Sequence, residues 1–339
     1  MRATRWHAVL LFLTVFFLQA ARADQVMLAN GDRLTGKVIS KADDTLTFET
    51  EYAGKIKIRW KDVVSVTTDK PVTVMSVDGK LQKGRLERTA SGGLELVSDD
   101  GSHALHLADM SNINPPPHVA GTGVTYNGRV TLLASASRGN TDDGRLYGEA
   151  ALRARAKQYN YGVEFNAEQK QESGETTAQN YWLAGRYNRV IDEKRFAYVR
   201  SSLSHDEFTD IRLRGTVGAG LGWNFFHTEK KTLSVLGGLE YVATDRSTGV
   251  SEQYPAFGWG IDYRQWVWAD RLELFFNQYG FTTLVSRGDT SYKTKGGVRI
   301  PVGSNLTANA QINYDYESNP GPGRDTTDVQ LLLGLGYDF

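Results

Sequence analysis

The chain has 339 residues, with 39 Lys and Arg against 39 Asp and Glu, so its formal net charge at pH 7 is zero. A neutral chain creates no global field that attracts nucleic acid, and the absence of cysteine excludes disulfides, zinc–thiolate sites and a cysteine nucleophile. The mean hydropathy of -0.41 is typical of a soluble protein. It does not exclude a membrane barrel, because alternating lipid-facing and lumen-facing side chains average to an unremarkable hydropathy.

The N-terminal segment predicts a secretory signal peptide over residues 1–23. Two arginines precede an apolar run, and the small residues Ala21 and Ala23 come just before Asp24. This order is typical of a signal peptide, and the apolar run is shorter than the ~20 residues that span a bilayer. We expect cleavage after Ala23 and export of the mature chain, which leaves only strands for membrane insertion.

Residues 24–113, here called the tandem module, contain two copies of one sequence pattern. Asn30 and Gly31 in the first copy correspond to Asp78 and Gly79 in the second. Such dipeptides form hairpin turns in which the chain needs a positive φ. We expect two small SH3-like or Sm-like β units packed as a pair, serving either as a periplasmic docking or ligand module or as a folded spacer.

After a stiff Pro-rich linker over residues 114–122, residues 123–339 alternate apolar and polar side chains with a period of two. In one segment Val217 and Leu221 face away from Arg214. The segments reach the ~9 to 11 residues of a membrane strand, and about twelve of them can be counted. The sequence therefore predicts an all-β fold, an antiparallel up-and-down transmembrane β-barrel of about 12 strands, preceded by the two small β units.

The connections between these segments predict the orientation of the barrel. They alternate between short ones, such as residues 157–158, and longer polar ones, such as residues 171–176 and 317–328. Periplasmic turns are short and extracellular loops long, so an even strand number places both chain ends of the barrel domain, and with them the tandem module, in the periplasm.

The last strand ends with Tyr337 and Phe339, which resembles the signal of outer-membrane proteins for the barrel-assembly machinery. Outer-membrane lipid is the other expected partner.

Three stretches resemble the salt-induced outer membrane protein family, a barrel domain of unknown function in Gram-negative bacteria. They are residues 128–140 (GRVTLLASASRGN), 180–182 (NYW) and 334–339 (GLGYDF). The resemblance covers about residues 128–339. It implies an outer-membrane barrel with a link to the osmotic or salt response, and it supplies no catalytic residue or cofactor.

The alternation also predicts which charged side chains face the lumen. The inward-facing cations are predicted to be Arg129, Arg145, Arg153, Arg155, Arg186, Arg200, Arg212, Arg214, Arg264, Lys293 and Arg299. The inward-facing acids are predicted to include Glu149, Glu164, Glu168, Glu240, Asp262 and Glu273. An excess of cations would favour small anions, whereas Arg–carboxylate pairs would close the lumen. Twelve strands lie between the filled barrels of ~8 strands and the open barrels of ~16, so both outcomes remain open.

One cluster of catalytic residue types stands out, at a predicted outer loop with His205, Asp206, Glu207 and Asp210. A solvated polar loop explains it better than catalysis does, and we expect no enzyme activity, no cofactor, no metal and no nucleic-acid partner. The predicted function is a narrow pore, with an anion preference, or a structural envelope protein. The alternatives are an envelope hydrolase that uses the His205 loop, a closed barrel that docks periplasmic partners, and a soluble periplasmic binding protein.

Overall fold

A computed structural model describes residues 23–339 except 91, 138–142, 207–210, 229, 248, 250, 269–270, 286–288 and 321–324. The predicted signal peptide therefore lies almost entirely outside the described residues. The chain divides into two compact units, Met1–Pro115 and Pro116–Phe339. Among the described residues, no helix has both the length and the apolar character needed to cross a bilayer.

The first unit repeats one order of five strands, with a 3-10 turn before the fifth strand of each copy. The first copy consists of β1 (Asp24–Leu28), β2 (Arg33–Ala42), β3 (Thr45–Thr50), β4 (Gly54–Arg59) and β5 (Val63–Thr67). The second copy consists of β6 (Val72–Ser76), β7 (Leu81–Arg88), β8 (Leu94–Ser98), β9 (Gly101–Leu105) and β10 (Met110–Ile113). The matching order supports a duplication of one small β unit.

Glycines have the same roles in both copies. Gly31 and Gly79 have φ values of 91° and 81° in the first hairpin turn of each copy, as the dipeptide pattern predicts. Gly36 and Gly84 allow a close approach between neighbouring strands. A Cβ on Gly36 would lie 2.1 Å from the carbonyl oxygen of Glu49, and the equivalent atom on Gly84 would meet a carbonyl oxygen at 2.5 Å.

The two copies share one apolar core and one continuous path of paired strands. β10 pairs with both β2 and β6, which joins the copies edge to edge. Lys41 reinforces this junction, because its ammonium group donates to the carbonyl oxygens of Met110 and Ser111 at 2.8 and 2.6 Å. Burial lowers the pKa of Lys41. The buried core residues are Val26, Val38, Leu46, Phe48, Ile58, Val63, Val66, Val72, Val74, Leu86, Leu94, Leu96, Met110 and Ile113.

The second unit begins with a one-turn helix, α1 (Pro117–Ala120), and continues as twelve antiparallel strands closed into a barrel. The helix is a difference from the extended linker that the prolines predict. Pro117 occupies its first turn, where the fixed φ of proline suits a helix and the missing N–H costs nothing. The strands are β11 (Thr125–Ser137), β12 (Asp143–Arg155), β13 (Tyr159–Glu172), β14 (Glu175–Val190), β15 (Arg195–Asp206), β16 (Ile211–His227), β17 (Lys231–Arg246), β18 (Ser251–Val267), β19 (Leu272–Thr283), β20 (Thr290–Pro301), β21 (Leu306–Glu317) and β22 (Thr327–Asp338).

The barrel closes where β22 pairs with β11, and this seam is short. It aligns six residue pairs, from Arg129 with Asp338 to Ala134 with Leu333, whereas β11 and β12 align thirteen. Two further hydrogen bonds between Gly128 and Phe339, of 2.8 and 3.0 Å, extend the seam to the last residue. The terminal Phe ring lies directly over Gly128. The end of the barrel that holds Thr125 and Asp338 is called the terminal end below, and the opposite end the distal end.

The exterior of the barrel is apolar. Along β22 the outward-facing residues Val329, Leu331, Leu333 and Leu335 are 53 to 63% exposed, and Tyr337 follows them. From Val329 to Tyr337 the strand covers about 27 Å, or about 20 Å along the axis at a tilt of ~40°. This height approaches the ~25 Å apolar band of outer-membrane barrels. Such an apolar band around a closed barrel is typical of a surface that lipid covers.

The predicted contrast in loop length is weaker than expected. Connections at the terminal end have three or four residues, and those at the distal end have two to nine. The predicted loop at residues 171–176 is a two-residue turn of Ser173 and Gly174, because β13 continues to Glu172 and β14 begins at Glu175. Both turn residues have positive φ, 51° and 88°, as tight hairpins require.

Candidate functional site: the barrel lumen

The polar side chains of the alternating pattern in the barrel strands face the lumen. A Cβ on Gly218 would meet the side chain of Glu240, so even-numbered residues in this part of β16 face inward together with Arg214. Inward-facing Glu240, Glu273 and Arg214 are at most 7% exposed, while their apolar neighbours on the same strands face outward. The inward direction of these charged residues agrees with the alternation in the sequence.

Most inward-facing cations form ion pairs with carboxylates. The guanidinium group of Arg186 lies 2.9 Å from Asp262, and Arg200 pairs with Glu240. Because these charges are largely removed from bulk water, pairing is what makes their burial tolerable. The remaining pairs are Arg129–Asp338, Arg145–Glu168, Arg214–Glu317, Lys293–Asp315 and Arg299–Glu273.

Lys295 is a central residue that the sequence analysis missed. Its ammonium group lies 2.8 Å from Glu149 and 2.7 Å from Glu164, so it joins β20 to β12 and β13 across the lumen. The rings of Tyr147 and Trp182 lie within 5.7 Å of the same group. Lys295 lies on the same face of β20 as Lys293 and Arg299, so the alternation that predicted those two residues to face the lumen also applies to Lys295.

Arg212 does not line the lumen, which corrects the prediction. The register between β16 and β17 shifts between Ile211 and Leu213, so Arg212 is the extra residue of a β-bulge. Its side chain is 67% exposed and pairs with Asp245. A bulge places two consecutive residues against one partner, which breaks the alternation that the prediction used.

Three predicted lumen arginines lack an ion-pair partner. Within the described part of the chain, Arg153, Arg155 and Arg264 form neither a hydrogen bond nor an ion pair, and we call them the arginine trio. Arg155 lies within Coulomb range of both other members. The neighbouring His118 of α1 reports the same positive environment, because burial lowers its pKa and the charge of Arg155 lowers it further. The terminal end of the lumen therefore holds three arginines without ion pairs, with the carboxylates of Glu273 and Asp338 also near Arg264.

One wall of the lumen is tightly packed with amides. Gln311 donates to Asn313 at 2.7 Å, Asn313 donates to Gln330 at 3.2 Å, and Gln330 donates to Glu168 at 3.3 Å. These residues are at most 7% exposed. Leu332, which is fully buried, packs beneath them with Leu133 and Tyr147. This wall, formed largely by β21, β22 and β11 to β13, is filled by buried side chains.

Beside this wall lie two adjoining cavities. The larger has a volume of about 180 Å³, and its charged lining consists of Arg153, Glu164, Arg186, Arg200, Arg214, Glu240, Lys293 and Lys295. The second, about 150 Å³, shares Trp182, Arg214 and Lys293 with the first and reaches Asn319 and Asp325 near the distal end. Together they form a hollow from the distal end to the level of Arg153, with six basic and two acidic residues around its larger part.

The predicted catalytic cluster is not assembled in the described residues. His205 stacks on Tyr181 with ring centroids 6.2 Å apart, and its Nδ1 contacts the carbonyl oxygen of Arg212 at 2.7 Å. Glu207 and Asp210 lie outside the described residues. Across the described residues, no group of three or more His, Asp or Glu could hold a metal ion.

The fold and the lumen define the class of this protein. A closed twelve-stranded barrel with an apolar exterior and a charged lumen is the fold of an outer-membrane β-barrel protein. Residues 130–339 match the family of proteins of unknown function DUF481, and the chain belongs to that family. No curated protein matches the sequence.

Several solved structures are similar to the barrel. The translocator domain of the autotransporter NalP from Neisseria meningitidis is 14% identical, with 65% of this chain and 89% of that chain covered and a TM-score of 0.37. The NanC porin is 12% identical, with 63% and 99% covered and a TM-score of 0.38. An outer membrane channel from Pseudomonas putida F1 is 12% identical, with 63% and 95% covered and a TM-score of 0.39.

Proposed function

We propose that this protein is a narrow outer-membrane channel for small solutes, with a preference for anions. The observation that carries the proposal is the hollow beside the amide-packed wall, because its larger part is lined by six basic and two acidic residues. Cationic linings favour anions in pores. Five of these six basic residues form ion pairs, so the preference is expected to depend on Arg153, which forms none among the described residues.

A closed structural barrel is the second candidate. The ion pairs and the amide wall favour it, since every carboxylate–guanidinium pair that crosses the lumen narrows the passage. In this case the barrel would anchor the tandem module, which would bind a periplasmic partner. The two candidates differ in one measurable property, the ionic conductance of the purified mature protein.

The test is a planar lipid bilayer recording with a KCl gradient. We expect small current steps with a reversal potential that indicates anion preference. Arg153→Gln should reduce that preference, whereas Arg212→Gln, a matched control on the bulge outside the lumen, should leave it unchanged. A complete lack of current steps from folded, heat-modifiable protein would favour the closed barrel.

The outer-membrane location and the periplasmic tandem module belong to the same proposal. Because the chain has no cysteine, single Cys substitutions report sidedness directly. We expect N319C, near the distal end, to react with a membrane-impermeant maleimide on intact cells, and K55C, in the tandem module, to react only after the outer membrane is permeabilised. Labelling of K55C on intact cells would contradict this orientation.

A link to the salt response predicts a higher protein level in cells grown at high salt, measured by immunoblot.

A further inference from the structure

We propose that this protein forms a two-fold dimer in the membrane through the exterior of β18 to β21, with Gln278 of one copy hydrogen-bonded to Gln278 of the other. The proposal goes beyond the channel function and does not depend on it. It rests on an amide side chain that lies at mid-height on the apolar exterior of the barrel.

Gln278 faces outward in the middle of β19. The neighbouring Tyr279 points into the lumen, where its hydroxyl oxygen accepts a hydrogen bond from Arg186 at 3.3 Å, so Gln278 points the other way. Six residues at ~3.3 Å, counted from the start of β19 at Leu272, place Gln278 about 15 Å along the axis at a tilt of ~40°, well inside the ~25 Å apolar band. The other outward-facing Gln side chains of the described barrel lie within four residues of a strand end, namely Gln169, Gln171, Gln179, Gln253 and Gln265.

Neighbouring side chains satisfy only half of this amide. The indole N–H of Trp259 can only donate, so its partner at 3.4 Å is the carbonyl oxygen Oε1 of Gln278. The nitrogen Nε2 of Gln278 donates to the hydroxyl oxygen of Thr294 at 3.1 Å. Among the described residues the amide makes no further hydrogen bond, which leaves one N–H group and one lone pair unused. Hydrocarbon offers a partner to neither, so their exposure to lipid chains is unfavourable.

Aromatic side chains flank the amide on both sides. The ring centroids of Trp259 on β18 and Tyr292 on β20 lie 6.4 Å apart. Tyr292 also stacks on Tyr314 and Tyr316 of β21, at 6.0 and 5.0 Å. A two-fold axis parallel to the membrane normal and beside β19 brings β18 of each copy against β20 of the other, so these rings pack across the interface. Aromatic residues are enriched at the centre of protein interfaces.

A second copy of the chain is the partner that fits a single amide. The two-fold axis keeps every residue at its own membrane depth and places Gln278 opposite itself. A primary amide has both donors and acceptors, so the two side chains exchange two N–H···O hydrogen bonds, like those of polar residues between membrane helices. Four strands ~4.8 Å apart and ~25 Å tall limit the contact to about 480 Å² per copy. This area is below the ~800 Å² per partner of a standard interface, so we expect a reversible dimer.

The experiment is sedimentation equilibrium of the folded protein in a density-matched, non-ionic detergent, over a range of protein-to-detergent ratios. We expect a monomer–dimer equilibrium. Gln278→Leu should raise the dissociation constant of the dimer about tenfold, because it removes both hydrogen bonds between the copies. Gln169→Leu makes the same change on the exterior of β13, six strands away, and should leave the dissociation constant unchanged. Folding of each variant is checked by heat-modifiable migration.

Cross-linking in cell membranes tests the contact face itself. Because the chain has no cysteine, Phe276→Cys, two residues from Gln278 on the same face of β19, introduces a single thiol. A short bis-maleimide should link two such copies into a dimer. Val163→Cys, on the exterior of β13 and 47% exposed before substitution, should give no such product.

Several results would overturn the dimer. They are a monomer at every protein-to-detergent ratio, equal dissociation constants for Gln278→Leu and Gln169→Leu, or equal cross-linking of the two cysteine variants. A trimer or larger ring would also contradict it, since such assemblies use two different faces of each copy. None of these measurements depends on current. A non-conducting dimer therefore refutes only the proposed channel, and a conducting monomer refutes only the dimer.

Discussion

The contact between Gly128 and the terminal Phe339 makes a sharp prediction about barrel closure. A Cβ on Gly128 would lie 2.4 and 2.6 Å from two ring carbons of Phe339, so Gly128→Ala must displace the ring. Phe339 is 62% exposed and its ring can turn aside, so the cost should lie near or below the lower end of the about 1 to 3 kcal/mol that overpacking a core costs. The cost falls on a seam of six aligned residue pairs, which has the fewest pairs among the barrel ladders. We expect the free energy of unfolding in urea, measured on the barrel in lipid vesicles, to fall by that amount.

The matched control is Gly148→Ala. Gly148 is also an outward-facing glycine of the barrel, and a Cβ there has no atom within 4 Å, so its substitution should be neutral or slightly stabilising. The cost of Gly128→Ala should also disappear in a Phe339→Ala background, because the clashing ring is then absent. If Gly128→Ala and Gly148→Ala change the free energy of unfolding equally, or if Gly128→Ala is still destabilising in the Phe339→Ala background, the clash with the Phe339 ring is not the cause.

Other predictions test the lumen and the exterior. Lys295→Met leaves the partly buried carboxylates of Glu149 and Glu164 without their cation, which should lower the free energy of unfolding in urea titrations by less than the about 3 to 5 kcal/mol of a fully buried pair. Leu333→Arg places a charge on the lipid face and should cost up to about 2 to 4 kcal/mol in the same assay; a neutral result would argue against lipid contact. Arg212→Ala removes an exposed ion pair and should change stability by less than about 1 kcal/mol, and a larger loss would contradict its placement outside the lumen.

The fold could be predicted from the sequence because the physical constraint is local. A strand that separates lipid from a polar lumen must alternate at every position, and β22 shows this pattern from Val329 to Tyr337. The twelve-stranded closed barrel confirms the predicted count. The same rule failed at Arg212, where one inserted residue in a bulge reverses the facing of its neighbours. Nothing in the local composition marks that bulge.

The partners of the lumen charges could not be predicted, because they are set by the closed barrel. Arg186 and Asp262 lie on strands four apart, and Lys295 reaches two carboxylates on strands still farther along the chain. The register between neighbouring strands does not predict contacts between residues on distant strands. Glu317 was assigned to a loop, although it continues the inward alternation of β21 and pairs with Arg214 at 2.8 Å. Because β21 continues to Glu317, this residue faces the lumen, although the sequence placed it in a loop.

The two walls of the lumen also predict how the passage responds to a change in size. Gln330 belongs to the amide wall and borders the distal cavity, so Gln330→Ala removes four heavy atoms from the lining of the hollow. Leu331, the next residue, faces the exterior and is 63% exposed. If the hollow carries the current, Gln330→Ala should raise the single-channel conductance, and Leu331→Ala should leave it unchanged. Equal conductance of the two variants would mean that ions follow another path, because the alternation places only one of these neighbouring side chains against the water in the lumen.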